Sequence, residues 1–470
     1  MDEFDFIVIG GGSAGYAAAR TAVGAGMKTA VIEGGETMGG LCILRGCMPS
    51  KTLLESAHRY RTLRRAGEFG LKAAGISFDA GKIIERKNRL IGEFADYRRG
   101  QLEGGNFSLI RGVATFRDVW TLEVTPLDRT SPLISLKGRS FLIATGSRIS
   151  TPPVPGLDDE RCWTSDTVLD ADQLPDSMIV LGAGPVALEL ATYANDLETA
   201  VTIIQRSPQV LRGTDEDAAA ALADGLGDAG MTLHLGTRLL EVRHTEAGTA
   251  AVRFEKDGAE HVAEAARVLN ALGREPSLRG LEASGVEVRD GAVAVAATQQ
   301  TSQPHIFAAG DVCGPFEVVH VAIQQGEIAA RNAARFLKGE GTSAWEQVDY
   351  RLKLFAVFSD PQFATVGASE AELAAVRRPF RKASYPFADH GKSIVMGETH
   401  GLVKLLTDPA TGEILGGTVV GPEASELIHE IAVAMHFRAT AADLAAVPHY
   451  HPTLSEIWTY PAEELANPED

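Results

Sequence analysis

Apolar positions along the chain fall into short unbroken runs, glycine turns and longer stretches of helical spacing. Phe6–Ile9 is one such run. Gly10-Gly11-Gly12-Ser13-Ala14-Gly15 follows it, then an alanine-rich stretch to Ala25, then a second run, Thr29–Glu33. Short, uniformly apolar runs predict strands buried on both faces, and the stretch between them predicts a crossover helix. The unit recurs as Ser177–Leu181, Gly182-Ala183-Gly184-Pro185-Val186-Ala187, and 200–205. Between the two units, 120–140 alternates apolar and polar positions with turn residues, which predicts a small antiparallel meander. Thr151-Pro152-Pro153-Val154-Pro155-Gly156 reads as a linker. Beyond Val348 the texture changes. Strand-like 402–406 and 414–420 flank a helical run, Ala424–His436, as in an α+β domain of about 120 residues.

A chain of 470 residues has room for three or four domains. A hydrophobic content of 45% and a charged content of 23% are those of a soluble globular protein. The formal charge of −18 argues against nucleic acid or an anionic membrane surface as a partner. There is no apolar run long enough to span a bilayer, and the N-terminus lacks the basic and apolar regions of a signal peptide. The expected compartment is a reducing cytoplasm. Four cysteines make no disulfide framework, but Cys42 and Cys47 stand five apart, which suggests chemistry. Cys162 and Cys313 read as small buried hydrophobes. No metal site is expected.

The two glycine turns predict two dinucleotide sites. Small residues let the turn close, let the backbone approach a pyrophosphate, and let helix and strand pack. The first site uses Gly10, Gly12 and Gly15, and Glu33 closes the next strand, where an acid can bind a ribose hydroxyl. The second uses Gly182, Gly184 and Ala187. Its second strand ends in Gln205-Arg206 instead of an acid, and Arg212 follows in the next loop. A guanidinium fork suits a 2′-phosphate, so NADPH is expected over NADH. The bland alternative is that both arginines are solvated surface charges.

Together with Gly39-Gly40-Leu41-Cys42-Ile43-Leu44-Arg45-Gly46-Cys47-Met48-Pro49-Ser50-Lys51, these sites resemble the pyridine nucleotide–disulfide oxidoreductases. That is the family of glutathione reductase, dihydrolipoamide dehydrogenase and mercuric reductase. The resemblance runs the length of the chain through Ala144-Thr145-Gly146, Gly273-Arg274, Ala309-Gly310-Asp311 and His451-Pro452-Thr453-Leu454-Ser455-Glu456. It implies an α/β fold of two Rossmann-like dinucleotide-binding domains and a C-terminal α+β dimerisation domain. The expected boundaries are 1–150 for FAD, 151–273 for NAD(P), 274–347 completing the FAD domain, and 348–470 for a homodimer interface. FAD contacts are implied at Gly10, Gly12, Ser13, Gly15, Glu33, Gly40, Lys51, Gly112 to Ala114, Thr145, Gly146, Asp311 and Val319. Nicotinamide-cofactor contacts are implied at Gly182, Gly184, Arg206, Arg212 and Gly273. Lys51 would pair with Glu189 near the flavin.

The implied chemistry passes electrons from NADPH through FAD to a Cys42–Cys47 disulfide. Cys47 faces the flavin, and Cys42 attacks the substrate disulfide. His451, oriented by Glu456 and acting on the other subunit, protonates the leaving thiolate. His449 could be a second relay. Two positions depart from the family: Leu41 stands where a Thr is usual, and Leu44-Arg45 replaces a loop that often holds Asn. Arg45 puts a cation near the dithiol. Ser13 and Arg20 fall at substrate contacts of glutathione reductase. Glu327 stands where that enzyme has an Arg, and a Glu there would repel glutathione disulfide. The expected substrate is therefore another low-molecular-weight disulfide, zwitterionic or cationic. No cysteine follows Cys313, which argues against the mercuric and large thioredoxin reductases. The alternatives are dihydrolipoamide dehydrogenase and, of another class, a flavoprotein subunit docked in a multienzyme complex.

Overall fold

The computed structural model describes residues 2–128, 130–245 and 248–467. They form two compact units. One comprises the chain up to Ser50 with Glu85–Ser150 and Arg274–Asp349; the other comprises Lys51–Ile84, Thr151–Gly273 and the chain from Tyr350.

The first unit is built on a parallel sheet ordered Ser108–Asp118, Thr29–Glu33, Phe6–Ile9, Phe141–Ile143, Ile306–Ala308. Phe6–Ile9 and Thr29–Glu33 are buried at every position, and Phe6, Ile7, Val8, Ile9, Val31 and Ile32 are the large apolar side chains that this cover takes out of water. Each such side chain contributes about 1.5–3 kcal/mol by leaving water. Helices Ser13–Gly24 and Val319–Leu337 pack together through Ala14, Ala18 and Ala22 on one and Ala329, Ala330 and Ala333 on the other. Their approach is close: a Cβ on Gly326 would lie 2.3 Å from the Ala14 carbonyl oxygen. The long strand Ser108–Asp118 leaves the parallel sheet and continues into an antiparallel meander with Thr121–Pro126 and Ile134–Gly138.

The second unit holds another parallel sheet, ordered Thr232–His234, Ala200–Ile204, Ser177–Leu181, Arg267–Asn270, Trp163–Thr164. Three antiparallel strands, Arg238–His244, Ala250–Lys256 and Ala259–Ala265, interrupt it between the first and fourth of these. That insertion has no counterpart among the elements expected from the sequence. The C-terminal part is an antiparallel sheet ordered Leu354–Val357, Gln362–Gly367, Ile414–Gly421, Leu402–Thr407, Arg381–Pro386. Helix Ala424–His436 covers it through Leu427, Ile428, Ile431 and Met435. Among the described residues no helix is long and apolar enough to cross a membrane.

Candidate active site

The first glycine turn is shaped by contacts that exclude side chains. Gly10 has φ +107, and a Cβ there would meet the Ala144 carbonyl oxygen at 2.3 Å. One on Gly15 would meet the Gly10 carbonyl oxygen at 1.8 Å. Gly12 caps helix Ser13–Gly24 and offers no side-chain acceptor, so the first-turn N–H groups are left to a ligand. Glu33, 9% exposed, accepts from the Gly11 N–H at 2.8 Å and from the Gly35 N–H at 2.6 Å. It thus braces the turn as well as standing at the ribose position.

Further along the same unit, Thr145 Oγ1 donates to the Ser277 carbonyl at 2.7 Å, and Gly146 takes φ +69. Ser147 Oγ donates to Asp311 Oδ2 at 2.6 Å and accepts from Arg274 Nε at 2.9 Å. The Ser147–Arg274 contact was not expected: Arg274 closes the Gly273-Arg274 motif and Ser147 follows Ala144-Thr145-Gly146, but neither motif names the other as a partner. Val319 is the first residue of a 19-residue helix, so its N–H has no acceptor within the helix. Ala114 is half-buried on the strand Ser108–Asp118.

The cysteine segment is seated on this turn. Gly40 opens the short helix Gly40–Leu44 with φ +71, and a Cβ on it would lie 2.8 Å from Gly12 Cα. Cys42 lies on that helix, and Cys47 begins the next, Cys47–Arg64. Gly46 folds back so closely that its Cβ would stand 3.1 Å from Cys42 Cα. Both cysteines are half-buried, while Arg45 is exposed.

Two cations flank Tyr16, and one of them, Arg98, also feels Cys42. The guanidinium of Arg98 lies 4.3 Å from the centre of the Tyr16 ring, and that of Arg20 lies 5.7 Å from it. Arg98 Nε and Nη1 are buried without a hydrogen-bond partner. Burial pulls the Arg98 guanidinium below its ordinary value, against the opposing pull of Tyr16 and Cys42. Arg98 was missed from the sequence; it sits on the amphipathic helix Ala80–Glu103, where nothing distinguishes it from its neighbour Arg99. Tyr16 and Arg20 line a groove of about 410 Å³ that extends to Gln101 and Phe107. Glu327 is half-exposed and 3.8 Å from Arg331, so its charge is partly offset.

In the second unit, Gly182 has φ +105, and its Cβ would meet the Ala271 carbonyl oxygen at 2.5 Å. Gly184 caps helix Pro185–Asp196, and a Cβ there would meet nothing within 4 Å. Gly273 has φ +122 and faces open space. Arg206 and Arg212 are exposed, and among the described residues neither guanidinium is in an ion pair. The Lys51 ammonium reaches both oxygens of Glu189, at 2.8 and 2.7 Å, and lies 4.7 Å from the centre of the Phe358 ring. Glu189 is 4% exposed and also accepts from the Phe358 N–H at 3.1 Å.

His451 Nδ1 lies 3.0 and 3.2 Å from the two oxygens of Glu456. The His451 side chain is 80% exposed and the Glu456 side chain 11%. Nδ1 is thereby committed to the carboxylate, which leaves Nε2 to act. His449 has no such freedom. Its Nδ1 meets the Val447 carbonyl at 2.8 Å and its Nε2 meets Glu430 at 2.6 Å, so both ring nitrogens are engaged. Cys313 is half-buried, and the desolvation of its thiol pushes it up to about 12. Cys162 is buried, and burial pushes its thiol up to about 11, but it is not merely a hydrophobe: its Sγ is 3.3 Å from His244 Nε2. Asp215, Asp217 and Glu370 cluster as a cation site would, yet the Lys404 ammonium occupies the centre, 2.6 to 2.8 Å from each.

Two glycine-turn nucleotide sites, a cysteine pair packed on the first, and a histidine–glutamate dyad define a flavin- and pyridine-nucleotide-dependent disulfide oxidoreductase. The chain belongs to the pyridine nucleotide-disulphide oxidoreductase family, whose model matches residues 4–326, with its dimerisation domain over 355–462. That C-terminal domain supports a homodimer. The chain is similar to dihydrolipoyl dehydrogenases: one of Bacillus subtilis is 32% identical over 97% of this chain and 96% of its own. One of Thermus scotoductus is 33% identical over 99% and 98%. Its structure is similar to that of the Escherichia coli HOCl-induced flavoprotein disulfide reductase RclA in a Cu(II) complex. The TM-score there is 0.84 at 26% identity, covering 98% of this chain and 99% of the other.

The first turn is a cradle that a Cβ at Gly10 or Gly15 would fill, and it fits FAD. Gly10, Gly12, Gly15 and Glu33 would hold its adenosine and pyrophosphate end, and Asp311 and Val319 its ribitol and ring. Bound there, FAD supplies the two-electron relay between a nicotinamide and a dithiol.

Proposed function

We propose that the protein is a cytoplasmic, NADPH-preferring reductase of a low-molecular-weight disulfide other than glutathione's, working through Cys42 and Cys47. The observation that carries the cofactor preference is the pair of exposed guanidiniums of Arg206 and Arg212 beyond the second glycine turn, neither in an ion pair among the described residues. They replace the acid that would repel a 2′-phosphate.

The Cys42 thiolate attacks one sulfur of the substrate disulfide, forming a mixed disulfide and expelling the other half as a thiolate. His451 of the partner subunit gives that thiolate its proton from Nε2. The Cys47 thiolate then attacks the Cys42 sulfur. This releases the second half and closes the Cys42–Cys47 disulfide. Two electrons from NADPH restore the dithiol.

Arg20 and Arg98 suit a substrate carboxylate, and Glu327 suits an ammonium group. A zwitterionic disulfide therefore fits better than a purely cationic one. Steady-state turnover with NADPH and NADH, across glutathione disulfide, lipoamide, cationic and zwitterionic disulfides, tests the proposal. The expected result is highest kcat/KM for NADPH with a zwitterionic disulfide. Best activity on glutathione disulfide would overturn the substrate assignment. Best activity with NAD and dihydrolipoamide would favour the second reading, which the names of the relatives support.

A further inference from the structure

Glu456 meets a second imidazole. His390 precedes the short helix Gly391–Met396 and is 0% exposed. Its Nε2 stands 3.5 Å from Glu456 Oε1, on the carboxylate that His451 Nδ1 also contacts. Its Nδ1 is 2.8 Å from Ser393 Oγ. The rings of Phe387 and Tyr460 meet it edge-on, each with its centre 6.4 Å away. These contacts fix the plane of the imidazole.

His390 Nε2 is buried and makes no hydrogen bond of ordinary geometry among the described residues, although the ring also meets the Thr453 backbone. A buried polar atom left so costs about 1–3 kcal/mol, so its place beside a carboxylate calls for a reason. The titratable groups facing it are Glu456 and His451 from the segment after Pro448, and Tyr460 from helix Thr459–Ala466. Burial holds the imidazole below its ordinary value against the pull of Glu456, so the ring is neutral near pH 7. A neutral imidazole carries one N–H. The Ser393 hydroxyl can donate to Nδ1, which leaves the proton on Nε2, on the side of Glu456.

We infer that His390 is a positioning residue for the acid–base dyad. It braces the Glu456 carboxylate from the buried side, so that His451, on the exposed side, holds its Nδ1–H on Glu456 and presents Nε2. Glu456 is one carboxylate between two imidazoles, one buried and the other exposed. The inference rests on the acid–base role proposed for His451.

The test compares His390→Leu, His390→Gln and His451→Gln as purified, FAD-loaded dimers. Leucine removes the N–H at similar volume, and glutamine can place an amide N–H near the Nε2 position. For His390→Leu, kcat should fall about tenfold, part of the 10²–10⁴-fold usual for general acid–base catalysis, with KM within about twofold. The acid limb of kcat between about pH 5.5 and 8.5 should shift, because the partner of His451 has changed. His390→Gln should recover most of kcat and the wild-type limb. Thiol counting after one equivalent of NADPH should be unchanged in all three variants. Equal loss in His390→Leu and His390→Gln with an unmoved pH profile would reduce His390 to packing and overturn the inference. So would a His390→Leu enzyme with wild-type kcat. If His390→Leu does not fold, His390→Met, which fills the space without an N–H, takes its place with the same expected and overturning results. If His451→Gln keeps wild-type kcat, the acid–base reading itself falls, and that outcome is distinct from the others.

Discussion

Gly40 lies against Gly12 so closely that a Cβ on Gly40 would stand 2.8 Å from the Gly12 α-carbon. The contact ties the segment bearing Cys42 to the turn that caps helix Ser13–Gly24. Gly40→Ala would add a backbone clash at a φ of +71, where side chains are strained. A cost of about 1–3 kcal/mol is expected. Purified Gly40→Ala should carry less FAD by visible absorbance and melt at a lower temperature. Full FAD content with an unchanged Tm would contradict the contact.

The Lys51 ammonium bridges both oxygens of a nearly fully buried Glu189. Lys51→Met would leave that carboxylate, among the described residues, with the Phe358 N–H as its remaining hydrogen-bond partner. Breaking a buried pair costs about 3–5 kcal/mol; Lys51 is 30% exposed, so about 1–3 kcal/mol is expected here. Denaturant unfolding should show the loss, and Glu189→Gln in the same background should restore part of it.

Lys404, 1% exposed, sits among Asp215, Asp217 and Glu370. Burial alone would raise the carboxyls of Asp217 and Glu370, but ion pairing with the lysine ammoniums, Lys404 foremost for Asp217, holds both below their ordinary values. Burial would likewise lower Lys404, and its three carboxylates hold it above its ordinary value. Depressed carboxylates contribute stability that is present above their unfolded values, near 3.8 and 4.5, and lost as pH falls through the folded ones. The raised lysine contributes stability present below its unfolded value, near 10.5, and lost as pH rises through the folded one. Lys404→Met should therefore destabilise the protein most near neutral pH, with a smaller difference from wild type in acid. A Tm series against pH checks the sign.

Arg206 and Arg212 carry no ion partner among the described residues. Each guanidinium–phosphate contact is worth about 1.5–3 kcal/mol. Arg206→Ala with Arg212→Ala should raise KM for NADPH about tenfold or more and leave KM for NADH little changed. An equal effect on both cofactors would show that the arginines are only surface charges.

Arg98 is half-buried, and its Nε and Nη1 lack a hydrogen-bond partner among the described residues, within the electrostatic reach of Cys42. A neighbouring cation stabilises a thiolate. Arg98→Leu should therefore slow alkylation of Cys42 in the reduced enzyme near pH 7, read by mass spectrometry, and leave Cys313 as unreactive as before. Unchanged alkylation would place the Arg98 charge too far away to matter.

Periodicity and short motifs determined much of this protein. The runs 6–9, 30–32 and 178–181 are apolar on both faces, a pattern that a parallel strand covered on both sides suits. Glycine turns and the Cys42/Cys47 spacing are equally local, because the chain must pass close to itself or to a phosphate within a few residues. Partnerships between distant residues were decided only by the tertiary structure. Nothing in the alternation of Arg238–His244, Ala250–Lys256 and Ala259–Ala265 announces an antiparallel insertion between strands of a parallel sheet. Arg98 looks like any polar residue on an amphipathic helix until Tyr16 and Cys42 are beside it. His449 and His451 share one tripeptide, yet packing closes one against Glu430 and leaves the other exposed on Glu456. His390, 66 residues before Glu456, has no motif at all. Burial, desolvation and a shared carboxylate depend on what folding brings within a few ångströms, and sequence spacing carries no trace of that.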